Sequence, residues 1–259
     1  MRSFLLSSSL LALGAPLFAD TVVPRDLDIE AQAVHEYGPY SIAHRDLGSF
    51  QAAARLHGVD PALVLGASEI LSGVAPSRRG SPRAEAQGWF MFAESTWLEL
   101  LDAYGHLIGI EAAVIEEDGG DLEIPDADQR REKLDLRHDA FTAAVMAVAL
   151  WQEHRESLGG VLEDENAIIV SHLLGPANTA RLASAIEDDP SQSSIDVFGE
   201  GFTSNAFIFH TDDGPRNVAE TWDNLVANLA TARQRYRGVE RDFIEMETDI
   251  QDSARSDGD

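Results

Sequence analysis

The segment "FTAAVMAVALW", residues 141 to 151, is apolar on nearly every helical face. Such a helix has no single stripe to hide; it has to be enclosed, so the rest of the chain must supply several helices to surround it. Candidates lie on both sides. "DLGSFQAAARLHG" has helix-forming composition and stops at Gly58. Asp60 before Pro61 marks the next start, because the carboxylate accepts an orphan amide and proline tolerates the first helical position; the helix continues through Ala62 to Leu71. Ser95 is placed to cap a helix that buries Trp97, Leu98, Leu101 and Tyr104 before Gly105 ends it. Asp164 opens a helix ending at Gly175, and "ANTARLASAIE" gives another. Asn217 and Glu220 form a capping-box pattern ahead of a stripe of Val218, Trp222, Leu225, Val226 and Leu229. The expected fold is one all-α domain of many short helices. Between the helices we expect a loop-like stretch to about Asp46, an acidic loop over 116–128, irregular chain from about Ser191 to Gly214, and a solvated acidic tail from about Gly238.

Composition removes whole classes of function. The 259 residues suffice for one substantial core or two modest ones. Nineteen Lys and Arg against forty-five Asp and Glu give a net charge of −26, which excludes broad attraction to nucleic acid or anionic lipid. The absence of cysteine excludes thiolate metal sites, a cysteine nucleophile and disulfides. Met1 and Arg2, the apolar run from Phe4 to Leu13 and the small residues from Ala15 to Ala19 read as a secretory signal cleaved before Asp20. No later run approaches the roughly 20 apolar residues of a membrane helix. The organisation read from the sequence is a signal peptide (1–19), an N-terminal extension with the first helix (20–59), a main domain (60–237) and an acidic tail (238–259), exported to the periplasm or beyond and soluble after cleavage.

The common chemical motifs are missing: there is no HExxH, no GxxxxGKS/T and no GxGxxG after a strand, and "GASEI" lacks the second glycine of a nucleophile elbow. The histidines are dispersed, and His172, four residues after Ile168 on an apolar face, reads first as a hydrogen-bonded core histidine. The acidic loop misses EF-hand spacing, so neither a metal nor a cofactor is expected. Glu69 stands apart. An acid inside a short apolar helix is costly unless something uses or satisfies it, and both catalysis and a salt-bridged or snorkelling glutamate are open on that fact alone.

The chain beyond Glu69 carries a resemblance. "AEAQGWFMFAESTWLELLDAYG", residues 84–105, resembles the stretch "SSATGLFQFIESTWL" of exported bacterial lytic transglycosylases of the lysozyme-like superfamily. "SHLLGPANTARL", 171–182, resembles the family's "AHFLGAxGAARF", and "IFHTDDGPRNVAETWDNL", 208–225, resembles "IFYDxxGxPRSVAEVY". The three blocks occur in the family's order, and the likeness spans about 60 to 225. In that family a catalytic Glu near the end of a short helix precedes a loop and the A-x-G-L-(F/M)-Q-F segment that walls the cleft; Glu69 occupies the corresponding place.

The resemblance implies a lysozyme-like fold, peptidoglycan glycan strands as the partner, and cleavage of the β-1,4 bond between N-acetylmuramic acid and N-acetylglucosamine without water. One protonated Glu gives its proton to the leaving oxygen, then removes one from the muramic 6-hydroxyl to close a 1,6-anhydro ring. Burial among Leu63, Val64, Leu65, Ile70 and Leu71 is the setting expected to keep Glu69 protonated. On the substrate side the resemblance places Arg83, Glu85, Gln87, Trp89, Phe90, Met91 and His172. Trp89 and Phe90 are expected either to stack on sugar faces or to sit in the core. Glu85 is expected either to hold a proton with Glu69 or to face water. Arg78, Arg79 and Arg83 are expected either to meet lactyl or stem-peptide carboxylates or to balance neighbouring acids.

The sequence also departs from the pattern. Ile70 stands where the family has Ser, Met91 where it has Gln, Ile169 where it has Tyr, and Ala84 and Glu85 replace a serine pair. Each lost hydrogen-bonding group is worth roughly 1 to 3 kcal/mol, about tenfold to a hundredfold in rate if it acts in the transition state. Two alternatives to an enzyme therefore stand beside it: a peptidoglycan-binding relative without turnover, and an acidic helical adaptor that docks a partner in the envelope.

Overall fold

A computed structural model of the chain describes residues 33–75, 86–111, 115–116, 122–200 and 206–256. The domain is all-α with three small two-stranded hairpins. The apolar run lies in α5 (Ala140–Leu158), whose residues from Ala143 to Ala149 are all buried. Asp139 caps this helix, accepting from the Thr142 amide at 2.8 Å. Packed against it are α1 (His44–His57), α3 (Glu94–Tyr104) and α6 (Ile168–Asp188), the enclosure that an all-round apolar helix demands. Gly175, at φ 74° and ψ 161° and followed by Pro176, divides α6 where the sequence places a helix end.

A second layer crosses the first. The helix α2 (Pro61–Ser72) packs on α9 (Val218–Arg235), which also packs on α6. Both start as the sequence predicts: Asp60 accepts from the Ala62 amide at 2.9 Å, and Asn217 with Glu220 completes a capping box. Gly66 sets the distance between the two. A Cβ there would come within 2.9 Å of the Arg233 backbone nitrogen, so the two helix backbones approach closely only because the side chain is absent.

Five expectations are corrected. The stretch before α1 is no loop: Val34–Tyr37 (β1) pairs antiparallel with Tyr40–Ala43 (β2) around Gly38, with Tyr37 and Ile42 buried. The tail is solvated over most of its described side chains, but it is helical, which its weak periodicity does not predict. From Val239 to Ser256 it forms α10, whose first turns lie on α1. Gly48 leaves space for the Phe243 ring, which stacks on His44 at 4.4 Å, and Gln51 donates to the Val239 carbonyl at 3.0 Å. Ser95 caps nothing; α3 begins one residue earlier, with Ala93 at the cap position. Finally, the acidic stretch ends in α4 (Ala127–Asp135), capped by Asp126, and the region after Ser191 holds α7 (Ser194–Phe198), α8 (Ala206–Phe209) and the hairpin of β5 (His210–Thr211) with β6 (Gly214–Pro215). Between α3 and α4, β3 (Ile115–Glu116) pairs with β4 (Leu122–Glu123).

Among the described residues no helix is long and apolar enough to cross a membrane. The signal segment and residues 117–121 of the acidic loop lie outside the described residues.

Candidate functional site

Glu69 sits three residues from the end of α2 and is the only buried carboxylate among the described residues. Its side chain is 5% exposed. The surroundings correct the apolar setting expected from its helix neighbours. Arg235, the last residue of α9, meets the carboxylate with two parallel bonds, Nε to Oε2 and Nη2 to Oε1, each 3.0 Å. This fork geometry is the strongest form of a carboxylate–arginine pair, and Glu69 accordingly pushes the Arg235 pKa up. The pair is possible because Gly66, one turn earlier in α2, lets α9 close on it.

Two tyrosines complete the surroundings. Arg235 lies over the Tyr40 ring at 5.8 Å from its centroid, and its methylenes face Gly38 in the β1–β2 turn. Tyr236, fully buried, packs against Tyr37 at 5.1 Å between ring centroids. Its hydroxyl makes no hydrogen bond of good geometry yet lies beside Glu69; burial, then the Glu69 charge, pushes its pKa up. The site thus gathers one carboxylate, one guanidinium and two phenols from α2, α9 and the β1–β2 hairpin. Nothing in the sequence marks Arg235, Tyr236 or Tyr40; the closeness of Arg235 to Glu69 follows from helix crossing across 166 positions.

The segment resembling a cleft wall is a tight turn. Gln87 and Phe92 exchange backbone bonds of 3.0 Å, with Gly88 to Met91 between them. Gly88 is required there: at φ 82°, a Cβ would fall 2.0 Å from the Arg137 carbonyl oxygen. Arg137, buried, holds the turn from beneath, donating through Nε to the Leu134 carbonyl at 2.9 Å and through Nη1 to that of Phe92 at 3.2 Å. Ser68, the residue before Glu69, donates to the Trp89 carbonyl at 3.1 Å and ties the turn to α2.

This arrangement decides between the readings of the aromatic residues. Trp89 and Phe90 are core residues: Trp89 is buried with its Nε1 donating to the His138 carbonyl at 3.0 Å, and Phe90 is buried against Phe50 and Trp151. Neither presents a face to a sugar, which corrects the stacking role. Gln87 and Met91 are half-buried, and Met91 holds a left-handed φ of 51°. His172 braces the turn from within the fold. Its Nδ1 accepts from Trp151 Nε1 at 3.0 Å, so the proton is on Nε2, which donates to the Phe90 carbonyl at 2.9 Å. Burial drives its pKa down to about 4, although the Phe90 bond works the other way. Ile169 is buried in the core and Ile70 half-buried. Arg78, Arg79, Arg83 and Glu85 lie outside the described residues.

Among the described residues no group of three or more His, Asp and Glu side chains is arranged to hold a metal ion. No protein-family model and no curated protein matches the sequence.

Proposed function

We propose that the chain is an exported lytic transglycosylase of peptidoglycan with Glu69 as its only acid and base. The observation that carries this reading is the burial, among the described residues, of one carboxylate and no second at the end of a short helix, the place the three sequence blocks assign to the catalytic acid. A single carboxyl suffices for this reaction, because the muramic 6-hydroxyl rather than water attacks the anomeric carbon. Glu69 passes its proton to the leaving glycosidic oxygen and then receives the one released by the 6-hydroxyl.

Glu69 must hold a proton for the first step, and a guanidinium in two-pronged contact stabilises the opposite form. The reading therefore requires Arg235 to turn aside as the glycan enters. Arg235 lies at the rim, 33% exposed against 5% for Glu69, so its head group reaches water by rotating about its own stem. Once the guanidinium has left, the carboxyl meets the glycan without its counter-charge. Tyr236, with an unbonded hydroxyl beside Glu69, supplies a donor for the carboxylate that the first step leaves behind.

The Glu69–Arg235 pair and the apolar side chains of Ile70 and Met91 favour a second reading, a peptidoglycan-binding protein of the same descent without turnover. Incubation of purified sacculi with the protein separates the two. Anhydro-muropeptides released by the native chain and absent with Glu69→Gln support the enzyme. Intact sacculi that pellet with bound protein support the binding protein.

A further inference from the structure

At the end of α9 away from Arg235, about 20 Å along the helix axis, a second hollow opens to the surface. Ala183, Ile186 and Glu187 on α6 and Ala219, Trp222 and Asp223 on α9 each follow the three-and-four spacing of one helix face, and the two rows flank a cavity of about 320 Å³ closed at one side by Gly160 in the turn Gly159–Leu162. Small residues leave the space. Ala183 and Ala219 carry only a methyl group, and a Cβ at Gly160 would meet nothing closer than the Glu163 carboxylate at 3.6 Å. Ile186 and Trp222, both half-buried, give the hollow its apolar walls, and Trp222 stacks on no other ring and lies under no cation among the described residues.

The charge on the rim is of one sign. Glu187 and Asp223 are exposed, and neither makes an ion pair or a side-chain hydrogen bond among the described residues. Glu187 and Asp188 occupy the last turn of α6, which holds no basic residue, so two carboxylates stand at the negative end of the helix dipole where a cation is favoured. A net charge of −26 adds to the same field. An anion is therefore repelled, and a neutral apolar group leaves both acids unmatched. A group with an apolar stem and a positive tip matches walls and rim together, and the lysine side chain has that form: four methylenes beneath a compact ammonium. Exposed ion pairs are individually weak, so a free amine gains little here; the side chain is held usefully as one contact of a larger protein surface.

We infer that this hollow receives a lysine side chain of a partner polypeptide, its methylenes on Trp222 and Ile186 and its ammonium between Glu187 and Asp223. The inference rests on the hollow alone and does not depend on the chemistry at Glu69.

The test is titration of the isotope-labelled full chain with N-acetyl-lysine methylamide, followed through its amide resonances and the Trp222 indole N–H. The controls are the same compound acetylated on its side-chain nitrogen, which keeps the stem and loses the charge, and n-butylamine, the free amine. We expect saturable shifts confined to residues 160–161, 183–187 and 219–223, weaker as salt is raised, with affinity for the acetylated compound lower by about tenfold and for butylamine no higher than for the lysine compound. Glu187→Gln combined with Asp223→Asn changes only exposed side chains and should cost the lysine compound about tenfold while leaving the acetylated one unchanged. Ala183→Leu fills the hollow and should abolish the response to both. Shifts spread over the acidic surface, no saturable response, equal affinity for the acetylated compound, tighter binding of butylamine, or unchanged affinity in the double variant would overturn the inference. Loss of Glu69-dependent cleavage alone leaves these outcomes untouched.

Discussion

Acid should unlock the turn that leads from Glu69, and the cause is His172. In the native chain its Nδ1 already accepts from Trp151, so a second proton has to break that bond inside the protein. The pKa falls from the ordinary 6.5 to about 4. The folded state therefore binds fewer protons than the unfolded one in this range. Stability from the neutral imidazole is complete above pH 6.5, is lost as pH falls towards 4, and declines no further below that. The difference of 2.5 between the two values amounts to about 3 kcal/mol in full, of which about 2 kcal/mol is gone by pH 5. His35, His57 and His154 are lowered by burial in the same direction, whereas partial neutralisation of a chain at −26 relieves repulsion, so the bare pH profile mixes several effects.

A difference isolates the one histidine. Urea unfolding of the native chain and of His172→Gln is measured at pH 7.5 and pH 5. The native chain should lose about 2 kcal/mol more than the variant over that interval, even though the variant starts from lower stability. Equal losses would refute the assignment of His172 as a neutral, doubly bonded imidazole. Since its Nε2 holds the Phe90 carbonyl, hydrogen exchange at residues 88–92 should quicken at pH 5 in the native chain.

The packing sets three further outcomes. Arg235→Ala leaves a buried carboxylate without its partner and should lower stability by roughly 1 to 3 kcal/mol, less than for a sealed pair because water reaches the rim, while cleavage of sacculi per folded molecule rises; a fall in cleavage with the fold intact would mean that the guanidinium assists the glycan instead of yielding to it. Gly66→Ala should push α9 away from α2 at a cost of about 1 to 3 kcal/mol and separate Arg235 from Glu69, seen as a loss of melting temperature that Arg235→Ala no longer deepens by its full amount; additive losses would contradict the link. Phe243→Ala should free α10 from α1 and expose 239–256 to limited proteolysis while leaving the remainder resistant, and equal resistance of the tail in both proteins would show that the ring does not hold it.

The helical core was legible because its signals are local. An all-round apolar run can only be an enclosed helix, and Asp60 with Pro61 and Asn217 with Glu220 mark helix starts through bonds within three residues of each other. The β1–β2 hairpin was not legible, since its strands are four residues long and carry His35 and Glu36 among their few positions. The tail reads as solvated because, of its described apolar side chains, only Val239 and Phe243 join the core, and the space for Phe243 exists through the missing side chain of Gly48, almost two hundred residues earlier. The candidate acid itself stood out as a charge in an apolar helix. Its neighbours along α2 gave no sign of what faces the carboxylate, because Arg235 and Tyr236 arrive by helix crossing and Tyr40 by a hairpin. The aromatic pair after Gly88 lent itself to either role until Arg137 and His138 supplied the partners that draw Trp89 inward.

On the proposed function, one carboxyl at position 69 performs both proton transfers and water takes no part in the bond cleavage. Sacculi digested in water enriched in heavy oxygen, with mass analysis of the released fragments, put both halves to the test in one experiment. The native chain should release 1,6-anhydro fragments free of the label, and Glu69→Gln should release none. Labelled reducing ends, or the same fragments from the variant, would contradict this reading.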